Sequence, residues 1–208
     1  MILEPTPDQI IFYQIIQTAL AKLYRAGKEP NIKKVCGLDV AYRNETATAA
    51  AVILQIGKGV VEKSIVKGRS QFPYIPTLLY AREAPLLLAA YKNLKTTPDL
   101  IVVDGHGIAH PRKAGLATII GILLDKPTIG VAKRLLVGEV KESNKVLARI
   151  FYKSRCVGYR VKPEGSKAFY ISPGYKIGLN GVKRIIQLLG LRYPVVLKEA
   201  DRIARCWS

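Results

Sequence analysis

The chain has 208 residues, with 33 lysines and arginines against 15 aspartates and glutamates for a formal charge of +18; the length fits one compact unit spanning 1–208. Basic residues recur along the whole chain and point to a polyanionic partner, a ribosome-like structural protein or a solubilising surface being the bland alternative. Cys36, Cys156 and Cys206 are odd in number and lack a C-x-x-C pair, which argues against a disulfide framework or zinc site; the longest apolar run, Pro85 to Tyr91, is too short to cross a bilayer, and the N-terminus does not read as a signal peptide, so the chain reads as soluble and cytoplasmic, by default a monomer.

After Pro5-Thr6-Pro7-Asp8, the apolar residues Ile11, Ile15, Leu20 and Leu23 predict one face of a helix ended by Gly27 and Pro30. Residues 1–34 thus read as an N-terminal packing region outside the catalytic unit. The period then changes, and Val35 to Tyr42, Thr46 to Leu54 and Val60 to Val66 predict an antiparallel meander of three strands. A helix is expected over 83–94, with Pro85 in its first turn or kinking it. The near-continuous apolar run Asp99 to Asp104 predicts a strand covered on both faces, followed by a helix at 114–123 and a strand at Pro127 to Val131. Beyond Lys133 come a charged stretch to about residue 156, strands at 157–162 and 167–172, a turn at Ser172-Pro173-Gly174 and helices at 179–189 and 195–206. The pattern βββ followed by αβαβ is an α/β fold with a mixed sheet.

Asp39 interrupts an apolar strand, where a carboxylate is costly unless it is paired or meets a cation. Asp104 closes the second apolar strand directly before Gly105-His106-Gly107, at the strand end where α/β folds commonly bind ligands. Two such aspartates in neighbouring strands make an oxygen pair for Mg²⁺ or Mn²⁺. Glu83, near the expected helix start, could instead be a cap, Asp104 a turn residue, and Asp201 the partner of a neighbouring arginine on an exposed helix face. Lys133, at the end of its strand, could steady phosphate charge or be one more solvated lysine. Both histidines of the chain, His106 and His110, lie within five residues; without further ligands at zinc spacing, a hard-cation site with His110 in support outranks zinc. Pro73, Tyr74, Ile75 and Pro76, preceded by Phe72, make a rigid aromatic segment suited to wedging between bases, or a loop packed on the core. Gly105 and Gly107 would allow close approach of a flipped base or a phosphate.

Taken in order, Gly37-Leu-Asp39-Val-Ala-Tyr42, Tyr74-Ile-Pro76, Arg82-Glu83, Asp104-Gly-His-Gly-Ile-Ala-His110-Pro111-Arg112-Lys-Ala-Gly115-Leu-Ala117, Pro127-Thr-Ile-Gly130-Val-Ala-Lys133, Ser172-Pro173-Gly174 and Ala200-Asp201-Arg202 resemble the endonuclease V family over about residues 35–204. The resemblance implies an RNase H-like fold and a metal-dependent nuclease of DNA repair. Asp39 and Asp104 would bind the metal, Glu83 and Asp201 would complete the acidic cluster, Lys133 would assist and Tyr74 would separate strands. The substrate implied is inosine-containing DNA, with RNA as a further possibility, cut at the second phosphodiester bond 3′ to the lesion to leave 3′-hydroxyl and 5′-phosphate ends. Among the binding residues, His110 and Arg112 come from the most specific segment. Thr77 and Tyr175 depart from the family, which often has glycine and histidine there. A junction resolvase of the same fold and a non-catalytic nucleic-acid-binding module are the competing readings; the Tyr74 segment and the 104–112 motif count against the first.

Overall fold

The computed structural model describes residues 4–27 and 30–207. Its centre is a nine-stranded sheet in the order β3-β2-β1-β4-β5-β9-β8-β7-β6. The meander β1 (Lys34–Arg43), β2 (Thr46–Gln55) and β3 (Gly59–Arg69) is antiparallel, as the alternation predicts. Asn44 turns the first hairpin at φ +53, a left-handed conformation that asparagine tolerates. β4 (Leu100–Asp104) then runs parallel to β1, and β5 (Thr128–Ala132) parallel to β4. The connecting helices are α2 (Leu79–Lys92) and α3 (Leu116–Leu124).

The helix expected at 83 begins at Leu79, so Glu83 lies inside α2 and Pro85 in its interior, not in its first turn. Tyr80, Ala84, Leu87 and Ala90 are buried at helical spacing; their common apolar face extends the helix upstream of the proline. The expected turn at Ser172-Pro173-Gly174 is likewise corrected: all three residues lie in β9 (Phe169–Tyr175), where a register shift opposite Thr128 and Ile129 accommodates the proline. The charged stretch after Lys133 holds two further strands, β6 (Glu139–Lys141), which pairs with β7 (Leu147–Tyr152), and β7, which pairs with β8 (Arg155–Val161). In β7, an interior strand between β6 and β8, the buried Ala148 and Ile150 flank the exposed Arg149, so the charge on one face hid the apolar character of the other.

The helices α4 (Leu179–Leu188) and α5 (Val195–Cys206) occur where expected, and α5 packs on β1 and β2. Gly37 permits that contact, since a Cβ there would overlap the Val196 backbone carbonyl. Helix α1 (Pro7–Ala21) starts with a capping box between Thr6 and Gln9. Its packed face is not the expected one: Ile11, Ile15 and Leu23 are exposed, while Ile10, Tyr13 and Leu20 meet the core around a buried Gln17. A polar residue at the centre of the packed face displaced the apparent apolar stripe. No helix among the described residues is long and apolar enough to cross a membrane.

Candidate active site

Parallel pairing of Leu38 with Val103 sets the following residues, Asp39 and Asp104, side by side on β1 and β4. Asp39 is 8% exposed. Burial, then the nearby Asp104 charge, pushes its carboxyl well above the usual carboxylate range, although its own bond from the Val40 amide at 2.8 Å opposes this. Lys133, one residue past β5, reaches across to Asp104 with Nζ 3.0 Å from Oδ2. Partial burial works against its charge, yet Asp104, Asp39 and Asp201 together hold the ammonium above the ordinary lysine value.

Asp201 approaches from α5, where Arg205 donates to its Oδ1 at 2.8 Å. The arginine pairing expected as an alternative is therefore present in a residue whose charge also acts on Asp39. Glu83 comes from α2: burial and the Asp104 charge raise its carboxyl to about 8, and the Tyr42 hydroxyl donates to Oε1 at 3.2 Å. The Arg82 guanidinium stacks over the Tyr42 ring at 4.3 Å. Tyr193, between α4 and α5, has its hydroxyl held protonated by burial and by the Asp104, Asp39 and Asp201 charges. Nothing in its sequence context distinguishes it from a core tyrosine.

Asp39, Glu83, Asp104 and Lys133 face a cleft of about 730 Å³ that Gly105 and Tyr74 also line, while Asp201 and Tyr193 stay outside its lining. Tyr74 is 65% exposed at its rim. Pro73 and Ile75 are half-buried and Pro76 is exposed, with Ile75 packed against the core. The segment therefore anchors one apolar side chain and presents the aromatic one.

His110 is 3% exposed and lies behind this segment. Its Nε2 is 3.0 Å from the Thr77 carbonyl, and Arg112 donates to that carbonyl at 3.0 Å, to the Thr77 hydroxyl at 2.6 Å and to Gln17 Oε1 at 2.6 Å. Gln17 in turn donates to the carbonyls of Thr77 and Ala114 at 3.2 and 2.5 Å. His110 and Arg112 thus hold the turn that follows the aromatic segment. Helix α1 is part of the site's framework through Gln17, which corrects its placement outside the catalytic unit; a polar residue amid the helix's apolar positions was the available signal. His106 Nε2 lies 3.0 Å from the Arg134 carbonyl, which ties the Asp104 loop to the chain after Lys133.

Gly107 faces the protein: a Cβ would overlap the Pro173 carbonyl, and its amide donates to Ser172 Oγ at 2.9 Å. The Ser-Pro-Gly motif is the seat of the Asp104 loop. Gly105 lines the cleft at φ +150, where glycine is favoured. Tyr175 pairs with Thr128 at the start of β5, the sheet end opposite the cleft, and accepts a bond from Arg25 at 2.7 Å. Its departure from histidine leaves the acidic cluster untouched.

Among the described residues, no three His, Cys, Asp or Glu side chains form a ready-made metal cage. Asp39 and Asp104 nonetheless fit a hard cation: they are adjacent oxygen donors, and their mutual repulsion in a recessed site is what a divalent ion would relieve.

The endonuclease V family model matches residues 18–202. Endonuclease V of Sulfurisphaera tokodaii is 42% identical over 198 residues, covering 95% of this chain and 94% of that protein. The crystal structure of endonuclease V from Streptomyces avermitilis superposes with a TM-score of 0.85 at 32% identity, covering 99% of this chain and 96% of that one. The Ciona intestinalis endonuclease V, solved in complex with a 24mer DNA containing an inosine followed by a ribo-adenosine, gives a TM-score of 0.79 at 26% identity, with 95% and 97% covered. The junction-resolvase and non-catalytic readings give way to this match, and the chain belongs to the endonuclease V family of nucleases.

Proposed function

We propose that this chain, acting as a single nuclease unit, recognises inosine in nucleic acid and hydrolyses the second phosphodiester bond on the lesion's 3′ side. Water oxygen bonds to phosphorus as the P–O3′ bond breaks, leaving 3′-hydroxyl and 5′-phosphate ends. The observation that carries this reading is the pairing of Asp39 and Asp104 on adjacent parallel strands with Lys133 3.0 Å from Asp104.

Asp39 and Asp104 would hold Mg²⁺, with Mn²⁺ as a substitute; a bound divalent ion supplies Lewis acidity and a water of lowered pKa. Lys133 fixes the orientation of Asp104 and offers positive charge to a phosphate drawn into the cleft. Glu83 and Asp201 flank the pair, with Tyr42 and Arg205 orienting their carboxyls. Tyr74, standing free at the rim, inserts between bases, and Gly105 leaves room on the cleft wall for a displaced base. The net charge of +18 supports attraction to the nucleic-acid backbone.

Asp39→Ala and Asp104→Ala test the assignment. Each is expected to abolish cleavage while an inosine-containing strand remains bound; loss of binding with cutting retained would contradict it.

A further inference from the structure

We infer that a second anion site, for a backbone phosphate of the nucleic acid, lies between the loops 142–146 and 162–168 with Arg160 as its floor. The inference rests on the nuclease reading and extends it.

Arg160 sits in β8 at 9% exposure. One guanidinium nitrogen donates to the carbonyls of Ser143 and Lys145, both at 2.8 Å, while Nε is buried with no partner. Among the described residues, no carboxylate pairs with this guanidinium. A buried cation without a counter-ion carries a large desolvation cost, which an arriving anion would offset. The arginine lines a groove of about 720 Å³ together with Lys145, Lys162, Lys167 and Glu164. Lys145 is held by Glu142 at 2.6 Å, but neither Lys162 nor Lys167 makes an ion pair among the described residues. Both are exposed. The groove therefore has an oriented, recessed positive group below and two uncommitted positive groups above.

Its position suits a continuous strand. Ala132 pairs with Tyr170 and Tyr170 with Arg160, which sets the three in one row across β5, β9 and β8. Arg160 thus lies roughly 10 Å, two inter-strand spacings, from the residue that precedes Lys133. The loops that form the groove leave the sheet at the same end as Asp104 and Lys133. At about 3.4 Å per nucleotide, that separation is roughly three nucleotides along a strand.

The test is the affinity of fluorescently labelled oligonucleotides, inosine-containing and unmodified, measured across a salt series with chelator present. Lys162→Ala/Lys167→Ala is compared with wild type and with Lys33→Ala/Lys58→Ala, which removes the same charge from exposed positions at the opposite end of the sheet. The groove variant is expected to bind both strands about tenfold more weakly, with the log–log salt slope shallower by about 1 to 2. The control should stay within about twofold of wild type. Equal losses in the two variants, no loss in the groove variant, or no strand binding by wild type would each overturn the site. If the groove variant alone loses affinity yet wild type with Mg²⁺ does not cut at inosine, the anion site stands and the nuclease reading fails. Normal cutting without a differential loss sinks the anion site alone.

Discussion

Arg112 grips Thr77 at two atoms, donating from a single guanidinium nitrogen to the carbonyl at 3.0 Å and the hydroxyl at 2.6 Å. Thr77 has φ +71, and a β-branched residue in left-handed backbone costs about 1–2 kcal/mol. The grip offsets that strain and fixes the exit of the segment presenting Tyr74. Thr77→Gly should therefore be close to neutral in urea denaturation, because it relieves the strain as it loses the hydroxyl bond. Thr77→Val keeps the branch and loses the acceptor, and should lower stability by about 1–2 kcal/mol. A Val variant as stable as wild type would show that the hydroxyl bond contributes nothing.

Tyr74 is 65% exposed, so its role is separable from folding. Tyr74→Ala should leave the unfolding free energy within about 0.5 kcal/mol of wild type and the melting temperature nearly unchanged. It should lower kcat/KM on an inosine strand by about tenfold or more, since a stacked base is worth about 1–3 kcal/mol. A large drop in melting temperature would instead mean that the ring packs on the core.

Burial, the Arg112 charge and the proximity of His106 push the His110 imidazole down to about 4, against the pull of the Thr77 carbonyl. Between that value and the unfolded value near 6.5 the unfolded chain binds the proton and the folded chain does not. His110 thus lowers stability as pH falls from about 6.5 towards 4 and has no such effect above that window. His110→Gln should flatten this part of the curve of melting temperature against pH; an unchanged slope would assign it to other groups.

Asp39 has the opposite sign. Its folded-state carboxyl lies above its unfolded value, so the stability it contributes while protonated is lost as pH rises through the folded value. Without metal ion at pH 9, Asp39→Asn should be more stable than wild type by about 1–3 kcal/mol, since it removes an uncompensated buried charge. Mg²⁺ should raise the wild-type melting temperature and leave that of the variant nearly unmoved. A wild type indifferent to Mg²⁺ would argue against a cation between Asp39 and Asp104.

The sheet's first half was legible because its strands are covered on one or both faces: Val35 to Tyr42, Thr46 to Leu54 and Asp99 to Asp104 show apolar runs that polar turns interrupt. Asp39 stood out because it breaks such a run. The second half was less legible. β7 carries the exposed Arg149 between its two buried apolar residues, and Pro173 mimics a turn while sitting at a strand irregularity. The site's supporting groups were hidden for another reason. Gln17 and Tyr193 reach the acidic cluster's surroundings through tertiary contacts from distant segments, which no local periodicity encodes. His110 and Arg112 were visible as a motif, but their hold on Thr77, more than 30 residues upstream, required the fold.

The most direct test is cleavage of an end-labelled oligonucleotide carrying one inosine, with Mg²⁺ or with chelator, in DNA and RNA versions beside unmodified controls. A Mg²⁺-dependent nick at the second phosphodiester bond 3′ to the inosine is expected, with the better substrate defining the nucleic-acid preference. A bound inosine strand left intact in Mg²⁺ and in Mn²⁺, or a nick that persists in chelator, would contradict that expectation.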